Sequence, residues 1–212
     1  MRTLKTIGLA AIAAMALMAL GAGSASATTL CTQTETPCAA ANQITTTQDN
    51  HIVMNFTHGE TFTTGNTGNP LMTCKEGSLT ATLEDKGSST TTAKALVNSL
   101  EFKNCPTGGV PTVIKPGTLE IHHIAGTHNG TLTLKETEWT TVMFGVSCTY
   151  GAAGAATIDL GILETTKLTV NTIINKVAGG FLCPSTEGWD TSLHLVGGGP
   201  GSNTPSQIFV EP

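Results

Sequence analysis

From residue 51 onward, apolar and polar side chains alternate in short runs set off by Gly, Pro, Asn and Asp. In Ser78 to Glu84, Leu79, Ala81 and Leu83 fall on one side and Thr80, Thr82 and Glu84 on the other. This two-residue period is that of a β-strand with one face buried. The same pattern marks His51 to Phe56, Thr118 to Ile124, Thr131 to Glu136, Val142 to Tyr150, Lys167 to Ile174 and Ser192 to Val196. Ala93, Leu96, Val97 and Leu100 fit a short amphipathic helix, but the stretch also alternates, and strand is the favoured reading. Asn66 to Pro70, Pro106 to Pro111 and Gly197 to Pro205 read as loops. Many short strands with Thr-rich outer faces predict an all-β, antiparallel two-sheet sandwich, with a closed β-barrel or a β-helix as the alternatives.

The N-terminus breaks this pattern. Arg2 and Lys5 precede an apolar run from Ile7 to Leu20, and Ala25-Ser26-Ala27 is a small-x-small cleavage signal. Residues 1–27 therefore read as a removable signal peptide and 28–212 as a single secreted domain. The run is short for a permanent span, which needs about 20 strongly apolar residues, so no membrane span is expected once the signal is removed. Taking away Arg2 and Lys5 leaves eight basic against fifteen acidic residues, a formal −7. Such a chain offers no basic patch for nucleic acid. The partner is not legible from the sequence; the polar Thr faces would suit a glycan or a cell-surface component, and any soluble antiparallel sheet shows them equally.

With only 4% aromatic residues, the core must be aliphatic, and covalent staples would add to it. All six cysteines (Cys31, Cys38, Cys74, Cys105, Cys148 and Cys183) lie beyond the signal. Their even number in an exported chain favours disulfides over zinc, because structural zinc sites bring cysteines in closer pairs. Two segments are framed alike. Cys74-Lys75-Glu76-Gly77 opens one closed by Cys105-Pro106, and Cys148-Thr149-Tyr150-Gly151 opens one closed by Cys183-Pro184. If the halves are duplicates, Leu168-Thr169-Val170-Asn171 corresponds roughly to Leu96-Val97-Asn98. The expected bridges are Cys31–Cys38, Cys74–Cys105 and Cys148–Cys183.

Candidate chemistry is sparse. Glu120 and His122 share a strand face, with His128 nearby, and these are the residues a metal would use. A solvated strand face accounts for them better, and no metal or cofactor is expected. Glu136 and Glu138 flank Thr137 ahead of Trp139, a carboxylate pair beside an aromatic ring of the kind glycosidases use. No nucleophile elbow is present, and the glycine-rich stretches Gly151 to Gly154 and Gly197 to Gly199 lack the ending of a phosphate loop.

The mature start, Thr28-Thr29-Leu30-Cys31 through Glu35-Thr36-Pro37-Cys38, with the later Phe-x-x-Cys and Phe-Leu-Cys-Pro-Ser segments, resembles a group of uncharacterised secreted proteins of soil actinobacteria. The resemblance implies a cell-envelope or extracellular setting and carries over no activity, cofactor or catalytic residue. The expected function is a non-enzymatic extracellular or cell-surface binding or structural domain. The alternative is a carbohydrate-active hydrolase using Glu136 or Glu138.

Overall fold

The computed structural model describes residues 28–47, 50–56, 60–64, 70–88, 91–105, 109–143, 145–196 and 204–212. Residues 1–27, read from the sequence as a signal peptide, and residues 66–69, 106–108 and 197–203 of the stretches read as loops lie outside these residues. The described strands are β1 (Thr29–Cys31), β2 (His51–Phe56), β3 (Glu60–Thr64), β4 (Pro70–Cys74), β5 (Glu76–Asp85), β6 (Ala93–Lys103), β7 (Thr112–Lys115) and β8 (Thr118–His123) in the first part of the chain. Then come β9 (Gly130–Lys135), β10 (Glu138–Met143), β11 (Val146–Gly151), β12 (Thr157–Glu164), β13 (Lys167–Gly179), β14 (Thr186–Leu195) and β15 (Phe209–Glu211).

Eight of them close into an antiparallel barrel in the order β14-β2-β5-β6-β8-β9-β12-β13, with β13 pairing back onto β14. The barrel alternative is thus the one formed, in place of an open two-sheet sandwich. Closure follows from the length of β13, whose first nine residues run alongside β14 from Lys167↔His194 to Asn175↔Thr186. An eight-stranded barrel is just wide enough for side chains to fill it. Ile52, Leu83, Val97, Leu132, Val170 and Leu193 are among the fully or almost fully buried side chains that do so. The outward positions between them are mostly polar, as with Lys94, Glu120 and Lys135, though Leu96, Ile162 and Ile173 are exposed there too.

The strand pairing repeats. β2–β5, β5–β6 and β3–β4 in the first half match β9–β12, β12–β13 and β10–β11 in the second. β14 pairs with β2, β3 and β13, and its counterpart is divided between β8, which pairs with β9 and β6, and β7, which pairs with β10. Counting from the equivalent hairpins, where Leu83 faces Ala95 and Leu163 faces Leu168, Val97-Asn98 falls on Val170-Asn171. The segment with helical spacing is accordingly an eleven-residue strand. One expected strand divides: Val142 to Tyr150 spans the β10–β11 hairpin, turning between Met143 and Val146 with Gly145 at φ 77°.

The disulfides are Cys31–Cys38, Cys74–Cys105 and Cys148–Cys183, as expected, and no cysteine is free. The last two tie the same pair of strands in each half. Three closed bridges fit an oxidising compartment. Among the described residues no helix is long and apolar enough to cross a membrane.

Candidate functional site

Among the described residues the halves differ in the β11–β13 pairing, which has no β4–β6 counterpart, and along the far end of β6. In the second half β14 is continuous, and Thr172 to Asn175 of β13 pair residue for residue with Trp189 to Thr186. In the first half the counterpart strand is broken by Pro116 and Gly117. Proline lacks the N–H a ladder needs, and Gly117 has a φ of 76°, a left-handed conformation that favours glycine. A Cβ on Gly117 would also run into the Lys135 carbonyl oxygen and the Thr137 hydroxyl. The Thr137 hydroxyl fixes the break by donating to the Pro116 carbonyl at 2.6 Å. As a result, β6 pairs with β8 only from Ala93 to Leu96, with a last bond from Val97 N–H to the Gly117 carbonyl.

Beyond that point β6 and β7 separate and leave an open groove of about 550 Å³, within the ~300–1,000 Å³ range of ligand sites. Asn98 to Lys103 form one wall, and Pro111, Thr112, Val113 and Pro116 the other. From Asn98 to Glu101, the β7-side edge of β6 carries no strand pairing among the described residues. The Lys103 carbonyl accepts from Lys75 N–H on the opposite edge, so by alternation the Leu100 N–H and C=O face the groove. At the rim, Lys103 Nζ is 2.6 Å from Glu101 Oε2, and this hydrogen bond and charge raise the lysine's pKa.

An aromatic cluster lies behind the inner wall. Trp139, the partner of Val113 across β10–β7, is 6.4 Å from Phe102 and 5.8 Å from Trp189 between ring centroids. Its indole N–H donates to Oε2 of Glu187 at 3.4 Å. Glu187 is fully buried, and its Oε1 has no hydrogen-bond partner among the described residues. Burial pushes this carboxyl up to about 8, against the pull of the Trp139 N–H in the other direction. Tyr150 donates to the Pro184 carbonyl at 3.2 Å, and burial, followed by the charge of Glu187, pushes its hydroxyl up to about 12.

The residues singled out from the sequence do not converge on one centre. Glu120 and His122 do share the outer barrel face, 3.8 Å apart, but Glu120 is held by Lys135 at 2.7 Å and Lys94 at 3.4 Å. Burial alone would raise the Glu120 pKa, yet the hydrogen bonds and charges of Lys135 and Lys94 outweigh it and lower the value. His128 sits elsewhere, 2.7 Å from Oε1 of the buried Glu211, and His123 donates to the Thr127 carbonyl. Among the described residues no group of three metal-ligating side chains forms.

Glu136 and Glu138 do not form the expected pair on one strand face. Glu136 lies in the β9–β10 turn at φ 57° and is bound to Lys115 at 3.0 Å, so its orientation is set by the turn and not by the β10 pleat. Sequence reasoning missed Glu187. Extending the alternation of Ser192 to Val196 backward through Thr191 and Trp189 would have placed it on the apolar face. The groove left no such trace, because it arises from a difference in strand pairing between the halves, which the shared cysteine framing does not reveal. The chain matches no protein-family model, no curated protein and no solved structure.

Proposed function

We propose that this is a secreted, non-enzymatic binding domain whose ligand site is the groove between β6 and β7. The observation that carries the reading is the opening of the ladder at this place, where the equivalent strands of the other half are sealed. Export rests on the N-terminal signal pattern and agrees with three closed disulfides. An extracellular setting like that of the secreted actinobacterial proteins it resembles belongs to the same reading. The hydrolase alternative loses the strand-face pairing of Glu136 and Glu138 on which it rested.

The test is to present the mature protein with a panel of soluble glycans and a displayed heptapeptide library. Binding in one of the two is expected, and Val113→Phe, which enlarges a groove-lining side chain, should abolish it while the melting temperature moves by only a few degrees. No binder in either panel, or binding indifferent to the substitution, would refute the site. Chromogenic glycosides serve as the control. Turnover that disappears in Glu138→Gln would establish an enzyme instead.

A further inference from the structure

We infer that the groove takes an extended polypeptide segment, added as a strand along the unpaired β7-facing edge of β6. The inference rests on the groove being the binding site and identifies what binds there. Both walls are strands, and β7 is already paired with β10 on its far side, so its remaining edge faces β6. On the β6 wall the Leu100 N–H and C=O point across the gap. The second half shows what such an edge accepts. At the equivalent stretch of β13 an antiparallel strand, Thr186 to Trp189, lies alongside with every residue in register.

Dimensions agree. A strand advancing ~3.3 Å per residue, ~4.8 Å from its neighbour and ~10 Å thick with its side chains, occupies about 160 Å³ per residue. A groove of about 550 Å³ therefore holds about three to four residues. Recognition would come mainly from the backbone, with alternate side chains pointing inward toward Phe102 and outward past the Glu101–Lys103 pair. A sugar chain could use the polar rim but would leave the main-chain groups of β6 unmatched.

Amide exchange of the full mature protein, followed by NMR, tests this directly. Without ligand, Leu100 N–H should exchange at least tenfold faster than Leu79 N–H on the paired β5 neighbour. Heptapeptides selected from the displayed library should then slow Leu100 exchange. N-methylating alternate residues of the peptide should weaken binding at least tenfold, more than single alanine replacements do. Peptides that bind without protecting Leu100 would overturn strand addition. Binding of glycans alone would also overturn it, leaving the domain's binding role intact, whereas failure of both panels would remove both readings.

Discussion

At the scale of single residues, Glu187 is the side chain whose chemistry departs furthest from its ordinary behaviour. A carboxyl taken fully out of water, with one indole N–H as its hydrogen-bond donor, is more stable neutral than charged. Its pKa is raised from 4.5 to about 8 in the folded state, so the native protein holds a proton that the unfolded chain releases earlier. Where the native state binds more protons, stability falls as pH rises. The contribution is complete below about pH 4.5 and is lost progressively up to about pH 8. At ~1.4 kcal/mol per pH unit of difference, the loss is on the order of a few kcal/mol. Glu187→Gln keeps the shape and removes the titration. Denaturant melts at pH 5 and pH 9 should show wild-type stability dropping between them and the variant staying nearly level. A wild-type curve as flat as the variant's would contradict a neutral buried Glu187.

At the scale of elements, short strands become a stable ladder through the covalent ties at equivalent corners. Cys74–Cys105 joins the end of β4 to the second residue beyond β6, and Cys148–Cys183 joins β11 to the loop after β13. Sequence separations of 31 and 35 make each bridge worth about 3.5–4 kcal/mol in the chain-entropy account. Replacing both Cys148 and Cys183 by serine should therefore lower the melting temperature by roughly 8–15 °C, at about 2–4 °C per kcal/mol for a domain of this size. Calorimetry reads the change directly. A fall of less than about 3 °C would mean that the bridge merely decorates a ladder already held by its hydrogen bonds. The Pro116-Gly117 break works in the opposite direction, trading strand pairing between β6 and β7 for an open edge.

At the scale of the whole molecule, two similarly connected halves share one barrel, and the chain ends are clasped together outside it. β1 pairs with β15, and Val210 packs against the backbone at Gly130, where a Cβ would meet its side chain. Thr28 is buried, its N–H donates to the Ser88 carbonyl at 3.1 Å, and its hydroxyl accepts from His123 N–H. If the chain is cleaved after Ala27, as its signal pattern predicts, Thr28 becomes the first residue and its new ammonium stays within reach of the Ser88 carbonyl. N-terminal sequencing of protein exported by a bacterial host should return Thr-Thr-Leu, with cystine at the fourth position. A start before Ala27, or retention in the membrane fraction, would contradict removal of residues 1–27.

Alternation along the chain was enough to assign β2, β5, β8, β9 and the cores of β13 and β14, because the face a strand side chain occupies depends only on its parity. Cysteine context was enough for the bridges, because Cys31 and Cys38 are close neighbours around Pro37 and the framing of the other four follows the repeat. Parity says nothing about which strand lies alongside which. Barrel closure therefore belonged to the tertiary structure, whereas the hairpin inside Val142 to Tyr150 is marked in sequence by the single Gly145 alone. The left-handed turn that removes Glu136 from the face of Glu138 was hidden, since its neighbours fit the strand pattern. Glu187 lies in Thr-Glu-Gly-Trp-Asp, a stretch polar enough to read as surface. Its hydrogen-bond donor, the Trp139 indole N–H, comes from β10, which only the tertiary structure brings alongside. The groove, too, exists only because β6 pairs with β8 over part of its length and the ladder then stops at Pro116-Gly117.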